Sequence, residues 1–436
     1  MRIYVSSLGC KLNQSEMDSL AARLARQGHQ VVTTPAEAEL CVLNTCAVTH
    51  VAAQKSRQAL RRLHHDNPQA SLVATGCYAE LTPADLHDLP GVRFVLGNWD
   101  KERLAEIIDS LGAVGRGTSG EMIPTVPACL PSVRRTRALV KIQDGCDNTC
   151  TYCIIRIARG PQRSRPAEDI LAEVKARLAD GHQEIVLTGV HIGAYGRDRQ
   201  ESKADTDLWA LVRRLLAETQ VPRLRLSSIE PWDLTERVFH LWDDPRLCRH
   251  LHLPLQSGCD ATLRRMARRY TTAEFAAWVA AARAAIPDLA VTTDLIVGFP
   301  GETASEFEQS LAFVQGLDFA RLHVFPYSLR VGTPAAQLAD QVPPPVKAER
   351  AQAMRAVASA GEQAFHRQFV GRTLTVLWES SRLEGGVAVW NGLTGNYLHV
   401  QTHSSVDLAN TLCSVRLVAL TDGGLQGEIV TQKNGG

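Results

Sequence analysis

Three thiols stand within eight residues of this chain: Cys146, Cys150 and Cys153, at C-x-x-x-C-x-x-C spacing. The apolar run Ala138-Leu139-Val140-Lys141-Ile142 ahead of them reads as a strand, and Gly145 breaks it. The thiols are therefore expected on a short loop just past a strand end. Such a loop suits an iron–sulfur cluster, whose irons are held by cysteine sulfur. Three cysteines on a four-iron cluster leave one iron open to bind and activate something. Zinc usually takes four ligands in paired C-x-x-C knuckles, and no second pair is present. A thioredoxin-like Cys150-x-x-Cys153 pair would leave Cys146 without a role.

A second thiol set is spread through the first 77 residues. Cys10 follows the apolar run Tyr4-Val5, Cys46 follows Val42-Leu43, and Cys77 follows Leu72-Val73. Each has small or polar turn residues beside it: Gly9, Asn44-Thr45 and Gly76. Loops beyond the carboxyl ends of parallel strands share one edge of a sheet, and ligands bind there. The three cysteines can converge at such an edge as a second metal site. Cys41 lies within its strand and reads as core packing.

Further candidates fall at strand ends downstream: Thr188-Gly189-Val190-His191, Ser227-Ser228-Ile229-Glu230, Gln256-Ser257-Gly258 and Gly298-Phe299-Pro300-Gly301-Glu302. Glycines such as Gly189 could admit an adenosine or a methionine group beside Gln256. Glu230 and Asp294 are acceptors able to hold a ribose or an ammonium. His191, His250, His252 and His323 are given no role, because a core histidine with one satisfied hydrogen bond is the commoner case.

The elements that must position these residues can be read from periodicity. Residues 1–112 alternate strand and helix, with strands at Arg2–Val5, Leu40–Leu43, Ser71–Ala74 and Arg93–Leu96. Asn13 with Glu16 looks like a helix start. This predicts an open parallel sheet with helices on its faces. Residues 113–136 are rich in glycine and proline and read as a linker. From 137 to 366 the alternation resumes, with strands at Ala138–Ile142, Glu184–Leu187, Arg223–Leu226, Leu251–Leu255, Val291–Val297 and Arg321–Phe325. Helices are expected between them, one of them over Leu234–Leu241. Six strands and five crossovers suit a partial barrel. A helix over about Val346–Phe365 leads to residues 367–433, whose five short strands suggest a small antiparallel barrel. The fold class is α/β with that all-β appendix.

With 436 residues, 45% hydrophobic and 21% charged, the composition is ordinary for a globular chain of about three domains. No apolar run approaches a membrane span, and Met1–Gln14 lacks a signal-peptide pattern, so a cytoplasmic protein without membrane contact is expected. The eleven cysteines have no disulfide-framework look. A net charge of +1 is uninformative, but its distribution is not. Arg134, Arg135, Arg137, Lys141, Arg156, Arg159, Arg163 and Arg165 surround the thiol loop against only Asp144 and Asp147. Such an island predicts a phosphate-bearing partner. Lys55, Arg57, Arg61 and Arg62 form a weaker group, and Arg264, Arg265, Arg268 and Arg269 a third.

The Cys146–Cys153 motif, with Tyr152 before its last thiol, resembles the radical S-adenosylmethionine signature. With Cys10, Cys46 and Cys77 ahead and a small barrel behind, nearly the whole chain resembles the methylthiotransferases. Gly9-Cys10-Lys11-Leu12-Asn13-Gln14-Ser15-Glu16, Ile154-Ile155, Ala158-Arg159-Gly160, Leu187-Thr188-Gly189-Val190, Leu253-Pro254-Leu255-Gln256-Ser257-Gly258 and Phe325-Pro326-Tyr327-Ser328 look most like the branch acting on N6-threonylcarbamoyladenosine in tRNA. Sister branches act on isopentenyladenosine in tRNA or on a ribosomal protein aspartate. An iron–sulfur tRNA-binding protein without catalysis is the alternative outside the class.

The resemblance implies two 4Fe-4S clusters, one on Cys146, Cys150 and Cys153 and one on Cys10, Cys46 and Cys77. It implies that S-adenosylmethionine serves as radical source and methyl donor, with Gly189, Glu230, Gln256 and Asp294 as candidate contacts. Sulfur and methyl would be inserted at C2 of the modified adenine next to the anticodon. An electron donor such as flavodoxin or ferredoxin is implied, and the C-terminal barrel would be a TRAM-like module that holds tRNA. The chain departs from the family pattern at Thr149, where an aromatic residue is usual, at Arg156-Ile157, usually Pro-Tyr, and at Cys259, usually serine.

Overall fold

The computed structural model describes residues 1–113, 136–199 and 206–430. Almost all of the expected linker lies outside them, as do Arg134 and Arg135. Among the described residues eighteen strands, β1 to β18, form the framework.

The N-terminal sheet contains β1 (Arg2–Ser7), β2 (Gln30–Val32), β3 (Leu40–Thr45), β4 (Ser71–Gly76) and β5 (Val92–Leu96), in the order β2-β1-β3-β4-β5. All neighbours are parallel. β3 is buried throughout, as expected of a central strand covered on both faces. Helix Lys11–Arg26 packs Met17, Leu20 and Leu24 on one face of the sheet, and helix His50–Asp66 packs Leu60 and Leu63 on the other. Thr49 caps the latter by accepting a hydrogen bond from the backbone N–H of Ala52. Asn13 and Glu16 do not cap the first helix. It begins at Lys11 without a side-chain cap, and both residues turn inward to a buried guanidinium described below.

The central unit is a partial barrel in two parallel halves. One has the order β10-β9-β6, from β6 (Arg137–Lys141), β9 (Glu184–Thr188) and β10 (Arg223–Leu226); the other is β11-β12-β13, from β11 (His250–His252), β12 (Ala290–Val297) and β13 (Arg321–Pro326). Parallel bridges Leu224–Leu247 and Ser228–His252 join the halves. A two-stranded pair, β7 (Gln143–Asp144) with β8 (Arg163–Ser164), flanks the thiol loop. Leucine, isoleucine and valine side chains from all six barrel strands and the covering helices build the largest core. Capping boxes at Thr271–Glu274 and Thr303–Glu306 start two of those helices.

Two expectations are corrected here. The segment expected as helix Leu234–Leu241 forms 3-10 turns, Pro231–Asp233 and Glu236–Asp243. β11 is shorter than Leu251–Leu255, because Pro254 has no N–H for a ladder and the chain turns at Gln256, φ +68°.

Helix Pro344–Arg367 leads into a closed barrel of β14 (Thr373–Glu384), β15 (Val387–Thr394), β16 (His399–His403), β17 (Leu412–Thr421) and β18 (Gly424–Ile429). It is antiparallel except for the parallel pair β16–β18, and the pairing of β14 with β17 closes it. Trp378 is fully buried at its centre. Among the described residues no helix is long and apolar enough to cross a membrane.

Candidate active site

The thiol loop leaves β7 at Gly145, φ +67°. A Cβ there would lie 1.9 Å from the carbonyl oxygen of Pro161, so only glycine fits. The loop returns through the short helix Ile155–Arg159 and β8. Cys146, Cys150 and Cys153 line one wall of a cavity of about 660 Å³. Its other walls come from the carboxyl ends of the barrel strands and from the loop Gly9–Cys10 of the N-terminal sheet. The cavity thus touches thiols of both sets.

Gly189, Glu230, Gln256 and Asp294 also line it. Gly189 lies against Gln143, whose carbonyl oxygen would be 2.9 Å from a Cβ, and it lets the chain turn after β9. Glu230 receives both Nη groups of Arg268, with the Nη1 contact at 3.1 Å. Nη1 of Arg268 also approaches the Cys150 sulfur at 3.5 Å. Asp294 sits between His252 at 3.2 Å and His323 at 3.1 Å. Burial opposes its charge, but these two hydrogen bonds outweigh burial and hold the carboxyl well below the usual range.

Cys46 and Cys77 are not on the cavity wall. Both are buried behind Cys10 at the carboxyl ends of β3 and β4. A Cβ on Gly9 would lie 2.6 Å from the Cys46 sulfur, so the glycine allows Cys10 and Cys46 to share one edge. Burial pushes the Cys46 thiol up to about 11 and the Cys153 thiol up to about 12. Cation or metal binding is what would convert such thiols to thiolates.

The donor set fits iron–sulfur chemistry. Among the described residues no three His, Cys, Asp or Glu side chains are arranged to hold a single metal ion. N–H donors point at the sulfurs instead: the backbone of Asn148 at 3.4 Å from Cys146, Arg268 at Cys150, and Asn98 Nδ2 at 3.8 Å from Cys77. Hydrogen bonds to sulfur are one of the ways a protein tunes such clusters.

His191, set aside in the sequence, stands beside this loop. Its Nε2 bonds Asp233 at 2.6 Å and its Nδ1 faces Asn148 at 3.3 Å. Burial disfavours its charge, but the bonds to Asp233 and to the Cys146 sulfur prevail and raise it to about 9.

The basic island is mostly neutralised from within. Arg159, 1% exposed, bonds Glu16 at 2.8 Å, Asp144 at 2.9 Å and Asn13 at 2.6 Å. Lys101 and Lys141 complete the cluster, at 2.5 Å and 3.3 Å from Glu16. Arg165 pairs with Glu173, Arg137 with Glu379, and Arg163 stacks on Trp99 at 4.1 Å. Glu16 is held well below the carboxylate range, since three cations outweigh its burial. The island therefore joins the N-terminal sheet to the barrel. Arg156 differs: it is exposed at the cavity rim.

Tyr397, from the turn between β15 and β16, also reaches the cavity. It sits at φ +67° and stacks on His250 with ring centroids 4.3 Å apart. His250, Arg137 and Glu184 lie at the amino ends of their strands, so Tyr397 closes the floor of the barrel. Beneath it Arg223 and Arg225 grip Glu184 and donate to the carbonyls of Leu393, Thr394 and Gly395. This floor was invisible in the sequence; only the unusual charges inside β9 and β10 hinted at it.

Comparison with known proteins accords with this architecture. Residues 140–314 match the family model "Radical SAM superfamily", and residues 2–97 match "Uncharacterized protein family UPF0004". The radical S-adenosylmethionine methyltransferase TsrM from Kitasatospora setae shares the fold, with a TM-score of 0.57 at 17% identity, over 77% of each chain. Fold and thiol loop together define a radical S-adenosylmethionine enzyme, a class that uses S-adenosylmethionine and a 4Fe-4S cluster.

Two curated relatives narrow the class. Threonylcarbamoyladenosine tRNA methylthiotransferase MtaB of Bacillus subtilis (strain 168) is 37% identical over 94% of this chain and 92% of its own. Ribosomal protein uS12 methylthiotransferase RimO of Desulforudis audaxviator (strain MP104C) is 37% identical over 88% of this chain and 86% of its own. The chain belongs to the radical S-adenosylmethionine methylthiotransferase family.

Proposed function

We propose that this protein is the tRNA N6-threonylcarbamoyladenosine methylthiotransferase, adding a methylthio group at C2 of that adenine. One observation carries the reading: a single cavity is shared by Cys10 and by Cys146, Cys150 and Cys153. Insertion of sulfur into a C–H bond requires a radical source and a sulfur carrier to meet at one carbon, and this cavity offers thiols of both kinds. The MtaB relatives of Bacillus subtilis and Thermotoga maritima, at 37% and 36% identity, support the substrate.

Cys146, Cys150 and Cys153 would hold one 4Fe-4S cluster, and Cys10, Cys46 and Cys77 a second. With S-adenosylmethionine the first cluster would supply radical chemistry, and the second would supply the sulfur. Gly189 leaves room for the cofactor's adenosyl group, and Gln256, Glu230 and Asp294 offer polar atoms to its ribose and amino-acid ends. Arg268 fixes Glu230 and donates toward Cys150. Tyr397, with His250, seals the floor against water, which a carbon-centred radical requires. In this reading residues 1–112 carry the sulfur and are joined through the 113–136 linker to the radical barrel of 137–366, and 367–433 form a TRAM-like tRNA-holding barrel. The electron donor is of the flavodoxin or ferredoxin kind.

The test is mass spectrometry of tRNA nucleosides from cells with and without the protein. Loss of the methylthio-threonylcarbamoyl nucleoside is expected. Loss of the isopentenyl counterpart, or an unchanged nucleoside profile with a change in a ribosomal protein, would overturn the choice of substrate.

A further inference from the structure

The charges on the cavity wall do not balance. Its lining carboxylates are both engaged, Glu230 by Arg268 and Asp294 by His252 and His323. Of its four lining Lys and Arg residues, Arg159 and Arg268 are likewise paired. Two remain. Arg156 lies exposed at the rim. Lys11 lies deeper, with its Nζ 6.0 Å from the centre of the Tyr397 ring that closes the floor. Among the described residues no carboxylate is within 4.0 Å of the Lys11 ammonium; Glu184, at the amino end of β9, is already bonded to Arg223 and Arg225. A cation held at the closed end of a cavity, with its wall carboxylates occupied, fits a ligand whose deep end is an anion.

We propose that Lys11 is a specificity-determining residue, its ammonium receiving the carboxylate of an amino-acid substituent on N6 of the target adenine. This rests on the substrate reading above and deepens it. The threonylcarbamoyl group carries one carboxylate at its far end. An isopentenyl group carries no charge and would leave the ammonium desolvated without a counter-ion, which is unfavourable. S-adenosylmethionine fits the position less well, because its carboxylate comes with an adjoining ammonium and a sulfonium. The thiol loop, where that cofactor belongs, is on the opposite wall from the floor. The position next to Cys10 couples the two tasks: the turn that presents a thiol at the cavity also orients the cation that reads the base.

The experiment is equilibrium binding of the reconstituted full-length protein, without reductant so that no turnover occurs. Anticodon stem-loop RNAs would carry threonylcarbamoyladenosine, its threonine carboxamide analogue, or isopentenyladenosine. The wild-type protein is expected to bind the carboxylate form on the order of 100-fold more tightly than the carboxamide. Lys11→Met and the more polar Lys11→Gln should each erase most of that gap, and Lys11→Arg should restore part of it. Iron content and melting temperature of each variant separate a lost contact from a lost fold. A wild-type protein that does not distinguish carboxylate from carboxamide overturns the role of Lys11 whatever the variants do. So does a gap that survives in Lys11→Gln, and Arg156→Gln measured alongside would then show whether the rim cation reads the group. Preference of the wild-type protein for the isopentenyl RNA would instead overturn the substrate reading itself.

Discussion

Replacing Arg159 by methionine should loosen the N-terminal sheet from the barrel. The guanidinium bonds Glu16 and Asn13 on one side and Asp144 on the other. Removing one partner of a buried ion pair typically costs about 3–5 kcal/mol. Two features place this site at the low end. Lys101 remains 2.5 Å from Glu16, and Lys141 remains 2.7 Å from Asp144. The remaining cluster has two carboxylates against two ammonium groups, so no carboxylate is left without a cation. Loss of the donor to the side-chain oxygen of Asn13 adds about 1 kcal/mol. The expected loss is about 3–4 kcal/mol at pH 7.

The loss should depend on pH. Glu16 and Asp144 are held below their ordinary values in the folded protein. Their contribution is present above the unfolded values near 4 and fades as pH falls through the folded ones. In Arg159→Met the folded values rise toward the unfolded ones, so acid costs the variant less. Urea unfolding of both proteins should show a gap that is constant from about pH 7 to about pH 5 and narrows as pH falls below about 4. Glu16→Gln should cost less in the Arg159→Met background than in the wild type, the coupling that a double-mutant cycle reads. A gap below about 1 kcal/mol, or one constant with pH, would refute the view that this cluster clamps the two units.

Reconstituted protein should contain about eight irons per chain; Cys150→Ala should abolish cofactor cleavage yet bind tRNA, while Cys46→Ala should cleave without thiolating. Gly145→Ala forces a Cβ onto Pro161 and should lower the iron content from about eight toward about four per chain, by loss at Cys146, Cys150 and Cys153, even if the fold survives. Arg156→Gln should weaken tRNA binding uniformly across sequences and lower the salt slope by about one, as read by titration at several salt concentrations. Glu184→Gln leaves Arg223 and Arg225 without their buried counter-charge and should cost about 3–5 kcal/mol in the melting of the C-terminal barrel. Glu184 is lowered to about 2, burial being outweighed by the two arginines; its stabilisation should persist down to about pH 4 and vanish as pH falls through about 2.

Thiol spacing and strand periodicity were legible because both are local. Cys146, Cys150 and Cys153 are one loop, and β3 or β9 reads as an apolar run of the right length. Charge pairing was not legible, because partners such as Glu16 and Arg159 stand 143 positions apart in the chain. The basic island consequently looked like an external surface. Asn13 and Glu16 matched a capping pattern, yet burial against Arg159 gave them stronger partners than a helix terminus offers. The segment Glu236–Asp243 has helical spacing, yet with Phe239 and Trp242 packed into the core it winds as 3-10 turns, which periodicity does not distinguish from an α-helix. Cys259 is legible only in hindsight: it stands at a helix N-cap without capping it, where serine would have done so.

Tyr397 has a consequence for how this molecule can be dissected. A cut before β14 would look like the removal of an RNA-holding accessory from a complete catalyst. It would also take away the ring on His250 and the carbonyls that Arg223 and Arg225 hold, opening the reaction vessel at its base. Lost activity in such a truncation would then measure leakage as well as lost tRNA contact. The two are separable only by point changes that leave the stopper in place.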